Sequence, residues 1–171
     1  MKVVIITGAT SGIGWEAAIQ IDKRFHSLDE IWIIGRREEK LLELQKKLTK
    51  SVRTFAMDVT DEADMAEFED VLYKLNPNIR MLFQSAGMGL HGKFAEMTAK
   101  DQAAMIRLNC EALTNFTSMC LPFMRRGSHI INVASSAGFM PFPGYSVYGA
   151  SKSYVLNFSR AIRAELKARK I

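Results

Sequence analysis

Lys2-Val3-Val4-Ile5-Ile6-Thr7 runs straight into Gly8-Ala9-Thr10-Ser11-Gly12-Ile13-Gly14, and Ile13 to Phe25 then follows a helical spacing of apolar residues. The opening six residues form a short β-branched run, the pattern of a strand buried on both faces. Glycines after such a strand allow a tight turn and let backbone amides approach a pyrophosphate at the N-terminus of the next helix. Three glycines alone are a weak signal, because loops often use glycine for turn geometry. Their place between a first strand and a helix makes them a candidate dinucleotide cradle. The spacing is Gly-x-x-x-Gly-x-Gly, not the commoner Gly-x-Gly-x-x-Gly.

Outward from this loop, strand and helix patterns alternate. Glu30 to Gly35 predicts a second strand and Glu38 to Leu48 a helix. Arg53 to Met57 predicts a third strand ending in Asp58. Asp61 to Leu75 predicts a helix capped by Asp61. Met81 to Ser85 predicts a fourth strand, followed by one long helix over Lys100 to Arg126, bent near Pro122 and ended by Gly127. His129 to Ala134 predicts a fifth strand and Ser146 to Arg169 a last helix. Apolar strands joined by crossover helices imply a parallel sheet covered on both faces, an α/β doubly wound Rossmann-type fold with five strands. No internal boundary divides residues 1–171, so a single domain is expected.

Composition narrows the class. A chain of 171 residues with 48% hydrophobic content is long enough for a real core, and its four prolines and eleven glycines are not clustered in repeats. No apolar run approaches membrane-spanning length, and the N-terminus opens directly in a strand pattern, so neither membrane insertion nor a signal peptide is expected. Cys110 and Cys120 share one predicted helix, where their separation disfavours a disulfide, and they read as core residues of a reducing compartment. The net charge of +5 is dispersed. Its local clusters, Arg125-Arg126 and Lys167 to Lys170, fall where predicted helices end and suit the helix dipole, which argues against a nucleic-acid partner. A soluble cytoplasmic domain without a metal site is the expectation.

Near the other end of the chain stands Tyr148-Gly149-Ala150-Ser151-Lys152. Four-residue spacing puts Tyr148 and Lys152 on one helix face. A free tyrosine hydroxyl is a poor acid or base at neutral pH, and a neighbouring ammonium favours the phenolate. Such a pair on a helix is more often a plain solvated face. Of the four tyrosines, however, only Tyr148 has a lysine at this offset.

With the glycine loop, this pair resembles the short-chain dehydrogenase/reductase family in its non-extended branch, and further landmarks fall in order along essentially the whole chain. Asp58-Val59 resembles the family's adenine-ring contact. Gln84-Ser85-Ala86-Gly87 resembles its Asn-Asn-Ala-Gly motif with both asparagines replaced. The first of that pair helps stabilise the central sheet in the family, so the contact made by the longer Gln84 is expected to move, while Ala86-Gly87 still permit close cofactor approach. Asn109 matches the family's structural and proton-relay asparagine. Ser135 lies thirteen residues before Tyr148 and three before Gly138, the offsets of the catalytic serine, both of which Ser136 misses by one.

Cofactor choice is read at the end of the second strand. An acidic residue there would bond the ribose 2′-hydroxyl of NAD. Gly35 is followed instead by Arg36 and Arg37, which suit the 2′-phosphate of NADP. NADP(H) is therefore expected ahead of NAD(H), with Arg36 reaching the phosphate and Arg37 either stacking beside the adenine or facing solvent. The competing reading is that both arginines only neutralise Glu38, Glu39 and the helix start.

The resemblance implies hydride transfer between nicotinamide and a carbonyl or alcohol carbon. Tyr148 would exchange a proton with the substrate oxygen, and Ser135 would hydrogen-bond that oxygen. Lys152 would tune Tyr148 and hold the ribose hydroxyls, and Asn109 would position a water linking Lys152 to solvent. The expected cofactor-binding set is Gly8, Thr10, Ser11, Gly12, Ile13, Gly14, Arg36, Arg37, Asp58, Val59, Ala86, Gly87, Tyr148 and Lys152. Without the family, Ser135 would rank as a strand-end serine and Asn109 as a helix residue bonding backbone. His91 either lines the substrate cleft or, more commonly for a loop histidine, is solvated. Phe139 to Pro143 is either an apolar substrate wall or plain packing.

Family members continue past the last helix through a sixth strand, a Pro-Gly segment contacting nicotinamide, a substrate lid and a seventh strand. The sequence ends at Arg169-Lys170-Ile171. An N-terminal part of a longer enzyme, turning over poorly alone and with its fifth strand at an open edge, is therefore expected. The alternative is a truncated nucleotide-binding or regulatory protein that holds NADP without chemistry. Dimers or tetramers formed through the helices at Lys100 to Arg126 and Ser146 to Arg169 are implied by the resemblance.

Overall fold

Alternation along β1 (Lys2–Thr7) divides the core in two. Val3 and Ile5 enter one buried cluster with Trp32, Ile34, Phe68, Leu72, Phe116 and Cys120, whereas Val4 and Ile6 enter another with Ile31, Ile33, Ala18, Ile21, Leu41 and Leu44. A strand with period two and apolar residues at every position must be covered on both sides. The computed structural model, which describes residues 1–171, shows how that is done.

The sheet is wholly parallel, with strand order β3-β2-β1-β4-β5, formed by β1, β2 (Glu30–Gly35), β3 (Ser51–Ala56), β4 (Asn78–Gln84) and β5 (Met124–Asn132). Helices α1 (Gly12–Arg24) and α2 (Glu38–Gln45) supply the second cluster, and α3 (Glu62–Leu75) and α5 (Leu113–Cys120) supply the first. Two further helices, α4 (Ala99–Ile106) and α6 (Ser146–Leu166), complete the layers. Strand order reverses between β1 and β4, which opens a crevice at the carboxyl ends of these two strands. The Rossmann-type doubly wound sheet expected from the sequence is the fold observed.

Several boundaries differ from the sequence reading. The single helix expected over Lys100 to Arg126 is α4, then a π-helical turn at Arg107–Ala112, then α5 and a short 3₁₀ turn at Leu121–Phe123. Pro122 belongs to that turn and marks the end of the helix, not a bend within it. Arg125 and Arg126 therefore cap no helix and lie in β5. There the register slips between Ile79–Met124 and Met81–His129, leaving Arg125 to Ser128 as a bulge. Gly127 turns the bulge at φ +80°, the Arg80 guanidinium donates to the carbonyls of Arg126 and Gly127, and the Ser128 hydroxyl donates to Ile79 O at 2.6 Å. These partners are 46 to 49 residues away, so no local pattern discloses them. The second helix stops at Gln45, not Leu48, β3 covers Ser51–Ala56, not Arg53 to Met57, and β4 begins at Asn78, not Met81. β5 ends at Asn132, not Ala134, and Lys167–Arg169 is a 3₁₀ turn after α6.

Two local expectations hold. Asp61 caps α3, its carboxylate accepting from the backbone N–H of Ala63 and Asp64. Cys110 and Cys120 are both free and buried. Away from the crevice, Asp22 is only 5% exposed and ties α1 to the α2–β3 connection, accepting from the N–H groups of Thr49 and Lys50 at 3.0 Å each. No helix is long and apolar enough to cross a membrane.

Candidate active site

Thr7 ends β1 with its carbonyl accepting from the Ser85 hydroxyl at 2.7 Å, and its own hydroxyl accepts from Ala86 N–H at 3.3 Å. The two strands flanking the switch point are thus joined at their tips. Gly8 turns the chain away at φ +68°, and a Cβ there would lie 2.6 Å from Ala86 N. A Cβ on Gly14 would lie 2.4 Å from both Gly8 O and Ser85 Oγ. Only glycine lets the first turn of α1 come so close to the strand ends. Ser85, which stands where the resembled motif has asparagine, is the side chain packed against Gly14.

The start of α1 is electrostatically open. Ser11 sits at its N-cap without a side-chain cap bond, and no acidic residue occupies the first turn. Unpaired N–H groups and the positive end of the helix dipole therefore face the crevice, an arrangement suited to an anion. The crevice has a volume of about 440 Å³. Its walls include Gly8, Thr10, Ser11, Ile13 and Gly14 from the loop, Gly35 at the end of β2 with Arg36 and Arg37 after it, Asp58, Val59 and Thr60 after β3, and Ser85, Ala86 and Gly87 after β4. Every expected cofactor contact outside α6 except Gly12 is among them. Ala104, Arg107 and Leu108 also line it, and no sequence signal distinguished them from other helix residues.

The two arginines divide their work. Arg37 donates to the carbonyl and hydroxyl oxygens of Thr10, at 3.2 and 2.9 Å, and so ties the end of β2 to the glycine loop. Arg36 is 75% exposed and lies 3.6 Å from Asp58 Oδ2. Neither pairs with Glu38 or Glu39. Burial pushes the Asp58 carboxyl up, but bonds from Thr60 N–H and Oγ1, with the Arg36 charge, hold it below the ordinary carboxylate value.

At the inner end of the crevice, Asn109 is 1% exposed within the π-helical turn. Its Oδ1 accepts from Met88 N–H at 2.9 Å, and its Nδ2 donates to Met88 O at 2.8 Å and Ser151 Oγ at 2.9 Å. Single π-turns recur at functional sites because they re-aim a side chain out of the helical ladder. From Gly87, a Cβ would meet Asn109 Oδ1 at 3.1 Å and Lys152 Nζ at 3.4 Å. Crevice, asparagine and lysine therefore converge on one residue.

Lys152 is 7% exposed, and its ammonium donates to Val133 O at 2.8 Å and lies 5.9 Å from the Tyr148 ring centre. Burial lowers its proton affinity below that of an ordinary lysine, with the neighbouring Cys110 acting weakly in the other direction. The Tyr148 ring lies flat against Gly89, where a Cβ would come within 2.9 Å. Ser135 leads from β5 into the 3₁₀ turn Ser136–Gly138, its Oγ accepting from Ala137 N–H at 3.2 Å. That turn packs on α6, since a Cβ on Gly138 would meet Lys152 O at 2.8 Å. Ser135, Tyr148 and Lys152 thus come from β5 and α6 onto the same end of the sheet.

Around this end, the His91 and Tyr145 rings pack at a tilt with centres 4.8 Å apart, and those of Tyr145 and Tyr148 likewise at 5.8 Å. Phe94, Phe139, Met140 and Phe142 are exposed. Gln84 is buried and donates to Thr117 Oγ1 at 2.7 Å and Asn132 Oδ1 at 3.1 Å, so its amide reaches α5 and the neighbouring strand.

Known proteins share this architecture. Residues 2–171 match the family described as short chain dehydrogenase. Sulfoacetaldehyde reductase 2 of Chromohalobacter salexigens is 38% identical, over 96% of this chain and 67% of its own length. The NADP-dependent 3-hydroxy acid dehydrogenase YdfG of Escherichia coli is 34% identical, over 96% of this chain and 66% of its own. A short-chain dehydrogenase from Sphingobium yanoikuyae, solved in complex with NADPH, superimposes with a TM-score of 0.84 at 31% identity, over 99% of this chain and 67% of its own. The chain spans about two thirds of the length of these relatives. The family match spans residues 2–171 and a relative 38% identical is aligned over 96% of the chain, so the chain belongs to the short-chain dehydrogenase family.

Proposed function

We propose that residues 1–171 form one nucleotide-binding domain of an NADP(H)-dependent oxidoreductase that interconverts a carbonyl and an alcohol. The carrying observation is Gly87, which lines the crevice behind the glycine loop and whose Cβ position lies 3.1 Å from Asn109 Oδ1 and 3.4 Å from Lys152 Nζ. The bare helix start and the missing Cβ atoms at Gly8 and Gly14 fit a dinucleotide pyrophosphate. Arg36 is the arginine with a free hand for a 2′-phosphate, because Arg37 is occupied by Thr10. Asp58-Val59 and Ala86-Gly87 would flank the adenine and the inner nucleotide. Hydride chemistry is what the nicotinamide supplies when bound.

In this reading the chain's own groups handle the proton. Tyr148 Oη gives a proton to the substrate oxygen in reduction and takes it back in oxidation. Lys152, anchored by Val133 O, places positive charge 5.9 Å from the Tyr148 ring centre. Ser135 Oγ accepts from Ala137 N–H, which leaves its own O–H free to donate to the same substrate oxygen. Asn109 keeps Met88 and Ser151 in place beside Lys152, where its family role is to position a water for the proton relay. The rim of Phe94, Phe139, Met140 and Phe142, with the tilted His91–Tyr145 ring pair, favours a carbonyl substrate with an apolar substituent. The two enzymes named above act on sulfoacetaldehyde and 3-hydroxy acids, so short anionic carbonyls are the competing class.

Assembly as a homodimer or homotetramer through α4, α5 and α6 belongs to the same reading. It is supported by exposed Ile106 and by Tyr154, which stacks on Phe158 on the outside of α6. A cytoplasmic setting accords with two unpaired thiols.

The test is a fluorescence titration with NADPH and with NADH, followed by aldehyde and ketone reduction by wild type and Tyr148→Phe. Saturable binding with NADPH preferred, and a rate reduced about 10²-fold or more by the substitution, is expected. Binding without any rate loss in Tyr148→Phe would make the protein a nucleotide binder that does no chemistry at this site.

A further inference from the structure

Gln84 is joined to its surroundings at both backbone and side chain. Its carbonyl accepts from Val133 N–H at 2.9 Å, and its amide donates to Asn132 and Thr117. Asn132 in turn donates to Ser159 Oγ at 2.9 Å, and that hydroxyl donates to Val155 O at 2.6 Å. Val155 and Ser159 follow Lys152 at +3 and +7, on the same side of α6. The bond between Val133 O and the Lys152 ammonium closes the circuit. The end of β5 is therefore fastened to α6 at two points, Ser159 and Lys152, while Gln84 joins it to β4 through both backbone and side chain.

Resting on the oxidoreductase reading, we propose that Gln84 is a positioning residue: through Asn132 and Ser159 it sets where Val133 O meets the Lys152 ammonium, and hence where that charge stands relative to Tyr148. Side-chain length is the critical property. An asparagine at residue 84 carries its amide about one C–C bond, roughly 1.5 Å, closer to the strand. Neither the Thr117 hydroxyl on α5 nor Asn132 on β5 then lies within hydrogen-bond reach. The dependence of Lys152 on one carbonyl follows from its burial. A nearly enclosed ammonium must replace lost water with fixed acceptors, and Val133 O is the acceptor the fold provides. The titratable groups facing it are Tyr148 on its own helix and Cys110 from the π-helical turn, so no carboxylate sets its charge in place of the carbonyl.

Lysine ε-methylene and ammonium resonances of the isotopically labelled protein, assigned to Lys152 with Lys152→Arg, read this directly and without turnover. In Gln84→Asn and in Ser159→Ala, the Lys152 titration midpoint is expected to fall by about one pH unit and by a smaller amount, respectively, because loss of a charge-assisted acceptor disfavours the ammonium. The other lysines should stay in place, and NADPH affinity should change less than twofold. An unchanged Lys152 midpoint in the folded variants overturns the proposal. If Gln84→Asn does not fold, Ser159→Ala decides alone, since it leaves the bonds of Gln84 intact. Carbonyl reduction by the wild type is measured separately. A shifted midpoint in a protein that reduces nothing supports the positioning role and sinks the oxidoreductase reading.

Discussion

Asn109 and Met88 meet as two amides, with Oδ1 accepting from the Met88 N–H at 2.9 Å and Nδ2 donating to its carbonyl at 2.8 Å. The side chain thus acts as one rung of a strand ladder and holds the loop after β4 against the π-helical turn. Asn109→Ala removes both partners from a buried backbone pair and frees Ser151 Oγ. A loss of about 2–4 kcal/mol is expected, read as a fall of roughly 5–15 °C in Tm. Asn109→Asp retains the acceptor and loses the donor, so its Tm should lie between wild type and alanine near pH 7. Equal Tm values for wild type and alanine would contradict the pairing.

Gly14 has no room for even one carbon, with Gly8 O and Ser85 Oγ each 2.4 Å from an added Cβ. Gly14→Ala forces the loop away from the strand tips, and cofactor affinity should drop by at least about tenfold, roughly 1.4 kcal/mol. Isothermal titration with NADPH measures it. Gly12 has open space around its Cβ position but a φ of +55°, so Gly12→Ala should act through backbone strain and lower stability by about 1 kcal/mol.

For Arg36, the outcome concerns selectivity. A charge-assisted bond to a 2′-phosphate contributes about 1.5–3 kcal/mol, so Arg36→Ala should weaken NADPH about 10- to 100-fold while leaving NADH nearly unchanged. Arg37→Ala should weaken both cofactors together, because it releases Thr10 from the end of β2. Parallel fluorescence titrations distinguish the two patterns. Equal losses of NADPH and NADH in Arg36→Ala would remove this arginine from cofactor choice.

Asp22 carries a pH signature. Burial raises its carboxyl, but the N–H groups of Thr49 and Lys50, the Thr49 hydroxyl and the Lys50 charge outweigh that effect and leave it below the ordinary value. A depressed carboxylate stabilises the fold above its unfolded-state value near 3.8, and that stability is lost as pH falls through the lower folded value. Wild type should therefore lose stability below about pH 4 more steeply than Asp22→Asn. At pH 7 the variant should already be about 1–3 kcal/mol weaker, because the Thr49 and Lys50 N–H groups face a poorer acceptor. Urea unfolding at pH 3 to 7 tests both statements.

What was legible follows from interaction range. The Asp61 cap, the glycine loop and the alternation of β1 depend on neighbours within a few residues, and each stands where local chemistry places it. The stretch Met124 to Arg126 reads as the end of a helix because its apolar and basic spacing suits one, yet it is strand. Its strand and bulge are held instead by Arg80, Ile79 and Ser128. Similarly, Arg36 and Arg37 are adjacent and chemically identical, and only folding brings Thr10 to one and Asp58 to the other.

The order of strands and helices along the chain, the glycine loop after β1 and the Tyr148–Lys152 spacing were determined by the sequence alone, since backbone sterics and helical period act between residues close along the chain. Tertiary structure decided the rest: the amide pair of Asn109 with Met88, the Val133 carbonyl on Lys152, and the reach of Gln84 to Thr117 and Asn132. Each is a hydrogen bond across 19 to 48 residues. Its partner is chosen by which strands and helices become neighbours, and composition and spacing carry no record of that choice.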